Sequence, residues 1–297
     1  MDESGLGTFD GMDTRAIGDR KVSAIGLGAM QLSVSGRPDH EQGIATIHAA
    51  LEAGVTLIDT ADSYCLDDSE VGHNERLIGE ALRSWGGDRS EVLVATKGGH
   101  IRPGGRWEVD GTPSHLRSAC EASLTALGVE TIDLYQFHRP DPSVPYAESV
   151  GALHDLREAG KVRMVGISNA NVDQIREAAE ILGAGLVSVQ NQFSPDFRSS
   201  ESELRRCEEM GLAFLPWSPF GGASRAAEVG SRFAVFAEVG AAHGVSPQQV
   251  TLAWMLALSP VVIPIPGSSR PSTIRDSVAA ADLQLSEDEL ARLSATQ

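Results

Sequence analysis

Cysteine is scarce in this sequence. Only three occur among the 297 residues, Cys65, Cys120 and Cys207, and no two of them lie close together in the chain. Zinc sites and redox motifs need closely spaced cysteines, and small disulfide-bonded domains need many more of them. The sequence therefore predicts neither a metal site nor a disulfide framework.

Positive charge and long apolar runs are also lacking. The chain has 24 Lys and Arg residues against 41 Asp and Glu residues, a formal net charge of −17. Such a surface repels nucleic-acid phosphates and anionic lipids, and no run of about 18 apolar residues is present to span a bilayer. Residues 1–11 are acidic and contain no apolar stretch of the kind that a signal peptide has. We predict a cytoplasmic protein with no nucleic-acid or membrane partner.

Short apolar segments recur along the chain and alternate with segments of helical periodicity. Each apolar segment is too short and too apolar to be a half-solvated strand, which is typical of parallel strands covered by helices. The eight predicted strands are residues 23–27, 56–59, 92–97, 134–138, 164–168, 187–190, 213–217 and 262–265.

The helical segments carry recognisable start and stop signals. Several end at a glycine, which tolerates the left-handed conformation at a helix C-terminus, and several begin beside a proline. Residues 286–289, Ser-Glu-Asp-Glu, form a capping box for a terminal helix. The predicted helices before it are residues 40–53, 114–127, 146–159, 171–182, 247–258 and 272–281.

This alternation predicts an α/β fold, a closed (β/α)8 TIM barrel. An open, doubly wound parallel sheet is the alternative, because it is built from the same alternating elements. No linker or shift in composition divides the chain. We therefore expect a single domain over residues 21–297, preceded by a flexible tail at residues 1–20.

Polar residues stand where the predicted strands end. In a TIM barrel the carboxyl ends of the strands meet at one mouth, where the chemistry takes place. Some have an ordinary structural explanation when taken alone, such as a turn cap for Asp59 or a buried histidine for His138. Lys97, however, needs a carboxylate, because burying an unpaired ammonium is costly. The strand-end residues are Asp59, Lys97, His138, Ser168, Asn169, Gln190, Trp217 and Ser218.

Four residues, Asp59, Tyr64, Lys97 and His138, together provide the groups that carbonyl reduction requires. Addition of hydride to a carbonyl produces an alkoxide that needs a proton. Tyr64, on the loop after Asp59, is a weak acid with an ordinary pKa of about 10. An ammonium beside it stabilises its phenolate and lowers that pKa. Asp59 would hold Lys97 in place, and His138 would orient the substrate or share in the proton transfer.

A series of short motifs extends along the whole predicted barrel. Each motif is modest alone, but their order and spacing are specific. Together they resemble the aldo-keto reductase family, and most closely its bacterial pyridoxal-reductase-like and sugar-reductase-like branches. The motifs are IGLGAMQ, DTADSY, GHNERLIGEAL, TKGG, TIDLYQFHRPD, GKVRMVGISN, VSVQNQF, WSPFGG and IPGSSR.

The resemblance implies an NADPH-dependent reductase in which the four residues above form the catalytic tetrad. It places Trp217 against the nicotinamide ring, where the family more often has Tyr or Phe. It also implies a contact with the adenine at Ser277, where the family commonly has Asn, so this contact is expected to be weaker. The cofactor-binding residues that it implies are Gly28, Met30, Ser168, Asn169, Gln190, Trp217, Ser218, Pro219, Gly221, Gly267, Ser268, Arg270, Asp276 and Ser277.

The residues around Arg270 independently favour NADPH. Its 2′-phosphate presents charged oxygens that an arginine binds with a planar fork of donors. The segment 267–270, Gly-Ser-Ser-Arg, precedes a predicted helix whose N-terminus favours anions, and Arg275 lies nearby. A routine loop with solvated arginines is the alternative. Gly26 and Gly28, by contrast, make an incomplete dinucleotide fingerprint, which in a barrel we interpret as close packing beneath the site.

Substrate specificity in a barrel comes from the loops after the strands, here residues 65–72, 100–110, 139–145 and 221–232. Trp107 is the predicted aromatic wall, with Tyr64 and His138 as further substrate contacts, although Trp107 packed on its own loop is the alternative. The sequence ends soon after the last predicted helix, so we expect no C-terminal flap and an open, polar mouth. A small polar aldehyde or ketone, sugar-like or pyridoxal-like, suits such a mouth.

Two other functions fit parts of the pattern. A cofactor-binding regulatory subunit with weak turnover would keep the NADPH site, but no partner-binding segment is visible beyond residues 1–20. A lyase would form a Schiff base on Lys97, which requires a depressed lysine pKa, whereas Asp59 should raise it. The sequence leaves the oligomeric state and the physiological substrate open.

Overall fold

A β-hairpin opens the part of the chain, residues 13–296, that the computed structural model describes. Its strands, β1 (Thr14–Ile17) and β2 (Arg20–Ser23), pair antiparallel around a turn at Gly18. Ile17 and Val22 are buried among the apolar side chains at the amino ends of the barrel strands. Residues 14–20 were predicted as part of a flexible tail and instead cover the bottom of the barrel, because this hairpin has an apolar side to bury. Residues 1–12 of the predicted tail lie outside the described residues.

Parallel strands build the barrel wall, and a second antiparallel hairpin is inserted after the third of them. The strands after the first hairpin are β3 (Leu27–Gly28), β4 (Leu57–Asp59), β5 (Leu93–Gly98), β6 (His100–Ile101), β7 (Glu108–Val109), β8 (Ile132–Phe137), β9 (Val162–Ser168), β10 (Leu186–Gln190) and β11 (Ala213–Phe214). Seven of them form one curled parallel sheet in the order β11-β10-β9-β8-β5-β4-β3. Their carboxyl ends therefore face the same side of the molecule.

The segment 262–267 completes the circle as an eighth, irregular strand. On one side Phe214 N donates to Val261 O at 2.8 Å, and on the other Gly28 N donates to Pro266 O at 3.0 Å. Pro264 and Pro266 have no N–H group to donate, so this segment forms isolated bridges instead of a regular ladder. The predicted closed barrel is confirmed, and the open sheet is excluded.

Helices surround the sheet and bury its outer face. They are α1 (His40–Glu52), α2 (His73–Ser84), α3 (Pro113–Leu127), α4 (Tyr146–Glu158), α5 (Val172–Leu182), α6 (Glu201–Met210), α7 (Val229–Arg232), α8 (Ala234–His243), α9 (Pro247–Leu258), α10 (Pro271–Val278) and α11 (Glu287–Ser294). The predicted capping box is confirmed, since Ser286 and Glu289 each accept a backbone N–H of the other at the start of α11. Most of the core lies between these helices and the sheet.

Three of the larger helices, α2, α6 and α8, were not placed by the sequence pattern. None of them has a side-chain hydrogen bond at its N-cap, and α2 begins after Gly72 in a left-handed conformation. The capping hydrogen bonds that begin α1, α3, α5, α9 and α11 are therefore missing, although Ser200 and Glu203 have the spacing of a capping box at α6. The segment 221–232, predicted as a loop, contains a short 3-10 helix (Ala223–Glu228) and α7. Within residues 13–296, no helix is long and apolar enough to cross a membrane.

Candidate active site

The carboxyl ends of the barrel strands surround a cavity of about 760 Å³, within the size range of small-molecule sites. Lys97 lies buried beneath its floor, while Gly221, Asp276 and Ser277 lie outside its wall. The sequence-predicted residues that line it are Gly28, Met30, Asp59, Tyr64, Trp107, His138, Ser168, Asn169, Gln190, Trp217, Ser218, Pro219, Gly267, Ser268 and Arg270. The structure thus brings most of the predicted site to one place.

The Lys97 ammonium links two of the predicted catalytic residues. Its Nζ donates to Asp59 Oδ1 at 2.5 Å, to Thr60 O at 2.8 Å and to Tyr64 Oη at 3.1 Å. All three ammonium protons are therefore used, and the side chain is 0% exposed. Because the Tyr64 oxygen accepts the bond from Lys97, its own proton is free to point into the cavity that Tyr64 lines.

The second oxygen of Asp59 is held by two amides. Gln190 Nε2 donates to Asp59 Oδ2 at 2.7 Å and Gln136 Nε2 donates to it at 3.0 Å. Gln136 was not predicted, because it stands inside the apolar strand β8 and not at its end. Gly166, the residue opposite it on β9, leaves room for its side chain, since a Cβ at Gly166 would lie 3.0 Å from the Gln136 side chain. The carboxylate is thus fixed from three directions.

Burial and charge act in opposite directions on the acid and on the lysine. Burial raises the pKa of Tyr64, and the Lys97 ammonium offsets only part of this rise. Burial also opposes the charge on Lys97, but Asp59 and Tyr64 outweigh it and raise the lysine pKa. Lys97 thus lowers the Tyr64 pKa as expected, but burial, which the expectation left out, raises it by more. Tyr64 keeps its proton and Lys97 keeps its charge at neutral pH.

His138 follows β8 and lines the cavity beside Tyr64, with the two ring centroids 5.8 Å apart. Burial lowers the pKa of His138 well below its ordinary value, and the Lys97 ammonium adds to the effect. Its Nδ1 is buried and has no hydrogen-bond partner among the described residues, which leaves Nε2 as the nitrogen toward the cavity. His138 is therefore a neutral group that lines the cavity beside Tyr64.

Backbone strain marks two predicted cofactor-binding residues. Asn169 has a φ of 57° and Ser218 has a φ of 51°, in the left-handed region that side chains other than Gly rarely adopt. Asn169 Nδ2 donates to His138 O and to Ser168 Oγ, both at 3.0 Å. Ser168 Oγ in turn donates to Gln190 O at 2.8 Å. These bonds tie the predicted nicotinamide contacts to the catalytic strand ends.

The end of the cavity far from Tyr64 is formed where the barrel closes. A Cβ at Gly28 would lie 2.6 Å from Ile265 O, so this glycine is required by the close approach of two backbone segments. That contact supports the interpretation that Gly26 and Gly28 allow close packing of the backbone. Arg270 lines the same end and has no ion pair within residues 13–296, whereas Arg275 pairs with Glu52 at 3.0 Å outside the cavity.

The Asp276 carboxylate is hydrogen-bonded within the protein. Its carboxylate accepts from Ser246 Oγ at 2.7 Å and from Gln249 Nε2 at 2.6 Å, at the start of α9. Ser277 is buried on α10. Neither side chain borders the cavity, so the cavity wall gives no support to their predicted contact with the cofactor. Their contact with the cofactor stays a prediction.

Trp107 stands over the mouth of the cavity, in the loop between β6 and β7, and is 47% exposed. The Arg102 guanidinium lies 3.9 Å from its ring centroid and donates to Cys65 O at 2.7 Å and to Gly105 O at 2.8 Å. Arg102 was not predicted, yet it connects the loop of Tyr64 with that of Trp107. The Trp107 ring meets Tyr64 edge to face, with the ring centroids 6.4 Å apart, which makes it part of the cavity wall as predicted.

Two buried carboxyl groups, Asp62 and Glu75, lie near the predicted catalytic residues without lining the cavity. Glu75 Oε1 accepts from Thr96 Oγ1 at 2.5 Å, while Asp62 Oδ1 is buried and has no partner among the described residues. Burial raises the pKa of Asp62 well above its ordinary value, and the nearby Glu75 adds to the rise. Asp62 is therefore a carboxyl group that prefers to be neutral.

We expect Asp62→Asn to stabilise the protein more at high pH than at low pH. Because folding raises the pKa of the Asp62 carboxyl, its contribution to stability is fully present below the ordinary pKa of aspartate. That contribution is lost as the pH rises through the pKa of the group in the folded protein. An asparagine does not titrate, so it escapes this loss. The gain in urea midpoint over the wild type should be larger at about pH 8 than at about pH 5.5. Asp173→Asn, at an exposed aspartate of α5, is the control, and an equal gain at both pH values would contradict a neutral Asp62.

Comparison with known proteins adds independent information. The sequence profile of the Aldo/keto reductase family matches residues 24–297. An uncharacterised oxidoreductase of Schizosaccharomyces pombe is 38% identical over 285 residues, which cover 94% of this chain and 88% of that protein. A 6-dehydroglucose reductase of Novosphingobium aromaticivorans is 35% identical over 267 residues, covering 87% and 86%. A crystal structure of an aldo/keto reductase from Klebsiella pneumoniae with NADP and acetate has a TM-score of 0.80 at 27% identity, covering 95% and 94%.

Proposed function

This chain belongs to the aldo/keto reductase family and is an oxidoreductase, and from that premise we propose that it reduces a small polar aldehyde or ketone with NADPH, using Tyr64 as the general acid. One observation carries the proposal. The Tyr64 hydroxyl accepts a hydrogen bond from the buried Lys97 ammonium and lines the cavity, so its proton is available to a carbonyl oxygen.

The residues present fit NADPH. Arg270 lacks a carboxylate partner in the described part of the chain and lies with Ser268 at one end of the cavity, as a phosphate group requires. Trp217 lines the cavity between that end and Tyr64, and Asn169 and Gln190 offer amide groups beside it. When bound, NADPH supplies the hydride that reduces the carbonyl carbon. The Klebsiella pneumoniae structure with NADP is consistent with this choice.

The tetrad supplies the proton and stabilises the phenolate that remains. As negative charge develops on the carbonyl oxygen, Tyr64 donates its proton and becomes a phenolate, which the Lys97 ammonium stabilises at 3.1 Å. Asp59 keeps Lys97 charged and in place. Neutral His138 lies beside the same position and is able to donate a hydrogen bond to the carbonyl oxygen from Nε2. Each residue thus acts at one stated atom.

The wall near Tyr64 combines an aromatic face with polar groups. The residues that border this end are Trp107, His100, Glu108 and Arg139. Such a wall suits a compact, polar carbonyl compound, either sugar-like or pyridoxal-like, because it offers hydrogen bonds in several directions. The 35% identical relative named 6-dehydroglucose reductase supports the sugar-like choice.

The structure opposes one of the two alternative functions, and the experiment below tests the other. A Schiff base on Lys97 is opposed by the structure, because its Nζ is fully buried, bonded three times and stabilised as a cation. A regulatory subunit with weak turnover shares the proposed cofactor site. It differs in the rate of reduction, which the experiment below measures together with binding.

We expect NADPH to bind tightly and quench tryptophan fluorescence, because Trp107 and Trp217 both line the cavity. Arg270→Ala should raise the Kd for NADPH about 10- to 100-fold by removing a charged hydrogen bond to the 2′-phosphate, and change the Kd for NADH much less. The measurement is a fluorescence titration with both nucleotides, followed by an assay of NADPH oxidation with small aldehydes.

Arg275→Ala is the matched control, since this arginine lies on α10, the helix that Arg270 precedes, but pairs with Glu52 outside the cavity. It should leave both dissociation constants unchanged. Equal weakening of NADPH and NADH binding in Arg270→Ala would show that Arg270 does not contact the 2′-phosphate. Tight binding without turnover of any aldehyde would favour the regulatory subunit.

A further inference from the structure

His100 lines the cavity but has no part in the mechanism above. It is the first residue of β6, three positions after Lys97, in the hairpin that carries Trp107. Its ring centroid lies 4.3 Å from that of His138 and 5.5 Å from that of Trp107, in both cases edge to face. His100 therefore stands between the residue beside the reacting carbonyl and the aromatic wall.

The hydrogen bonds of His100 fix which nitrogen carries the proton. Its Nδ1 lies 2.9 Å from Glu108 O, across the β6–β7 hairpin. A backbone carbonyl only accepts, so Nδ1 is the protonated nitrogen. Burial lowers the pKa of His100, which favours the neutral ring. In a neutral ring with a proton on Nδ1, Nε2 is a hydrogen-bond acceptor.

Nε2 of His100 has no hydrogen-bond partner within residues 13–296, and the ring borders the cavity. The neighbouring groups are of the opposite kind, since Tyr64, through its hydroxyl, and Arg139 are both able to donate. Two carboxylates also line the cavity here, but Glu108 pairs with Arg106 at 2.8 Å and Asp59 is bonded to Lys97, Gln136 and Gln190. His100 thus offers an acceptor beside the donors that would hold the carbonyl oxygen.

We propose that His100 is a specificity-determining residue that accepts a hydrogen bond from a hydroxyl group on the carbon next to the reacting carbonyl. The preferred substrates are then 2-hydroxyaldehydes, the chemical group at the end of an open-chain sugar. This inference rests on the proposed reductase function. An aldehyde without the hydroxyl leaves Nε2 unpaired in a partly buried site, and that loss weakens binding in the transition state.

The experiment compares D-glyceraldehyde with propanal as substrates for NADPH oxidation. The wild type should prefer D-glyceraldehyde by about tenfold or more in kcat/KM, in proportion to one hydrogen bond to a desolvated acceptor. His100→Phe keeps the ring and removes the acceptor, so the ratio of the two kcat/KM values should fall about tenfold, mainly through the KM for D-glyceraldehyde. His100→Gln provides a new acceptor and should restore part of the ratio.

His154→Phe is the control, because His154 lies on α4 outside the cavity. An unchanged ratio in His100→Phe, with equal losses for both aldehydes, would overturn the proposal and show that His100 only supports His138. A wild type without preference for D-glyceraldehyde would overturn it without any variant. If neither aldehyde oxidises NADPH, the reductase function itself fails, which is a distinct result.

Discussion

Replacing Tyr64 by phenylalanine is expected to lower kcat for carbonyl reduction by about 10²- to 10⁴-fold, the usual contribution of a positioned general acid. The change removes the hydroxyl proton and leaves the ring, so the edge-to-face contacts of Tyr64 with Trp107 and His138 remain. The Kd for NADPH should stay close to the wild-type value. Single-turnover NADPH oxidation and fluorescence titration measure the two quantities separately.

Tyr146→Phe is a matched control for this variant. The Tyr146 hydroxyl on α4 is buried, lies outside the cavity and has no hydrogen-bond partner among the described residues. Its removal should leave kcat unchanged. Near-normal turnover in Tyr64→Phe would show that another group supplies the proton, with His138 the next candidate because it borders the same space.

The second large effect is expected at the buried ion pair. Asp59→Asn should destabilise the protein by about 3–5 kcal/mol, because it leaves the Lys97 ammonium buried without its carboxylate. It should also abolish most of the activity, since an uncompensated lysine in this position loses its charge and no longer stabilises the phenolate. Denaturant unfolding and steady-state kinetics test the two parts.

A double variant distinguishes the charge from the packing. Asp59→Asn combined with Lys97→Met removes both charges and keeps the volumes similar, and such replacements of buried pairs are often neutral for stability. We expect most of the stability to return without any activity. A single variant as stable as the wild type would mean that the amides of Gln136 and Gln190 hold the site together without the ion pair.

The sequence pattern correctly placed several residues at the cavity where a polar residue follows an apolar strand. Asp59, His138 and Gln190 were found in this way, because the ends of parallel strands in a barrel meet at one mouth. Lys97 was found because a lysine in a buried strand needs a carboxylate, and the structure pairs it with Asp59. The helix start signals were equally reliable where a capping side chain is present, as at Ser286.

The residues that were missed act through contacts between segments far apart in sequence. Gln136 lies inside a strand and reaches Asp59 only because β8 and β4 curve around the same barrel. Arg102 and His100 acquire their roles from the fold of the β6–β7 hairpin, whose strands are too short to show a periodic pattern. The contacts of Asp276 with Ser246 and Gln249 were likewise not visible in the sequence, and its predicted contact with the cofactor stays a prediction.

The irregular eighth strand closes the barrel through a few isolated bridges. Seven strands are joined by ladders, but the barrel closes between Phe214 and Gly28 through a few hydrogen bonds, two of which the Pro264 and Pro266 carbonyls accept. Gly28 and Gly267, which pair across this closure, both line the cavity. A nucleotide bound across these two glycines would therefore bridge the closure. Part of its binding free energy would then also stabilise the barrel against local opening.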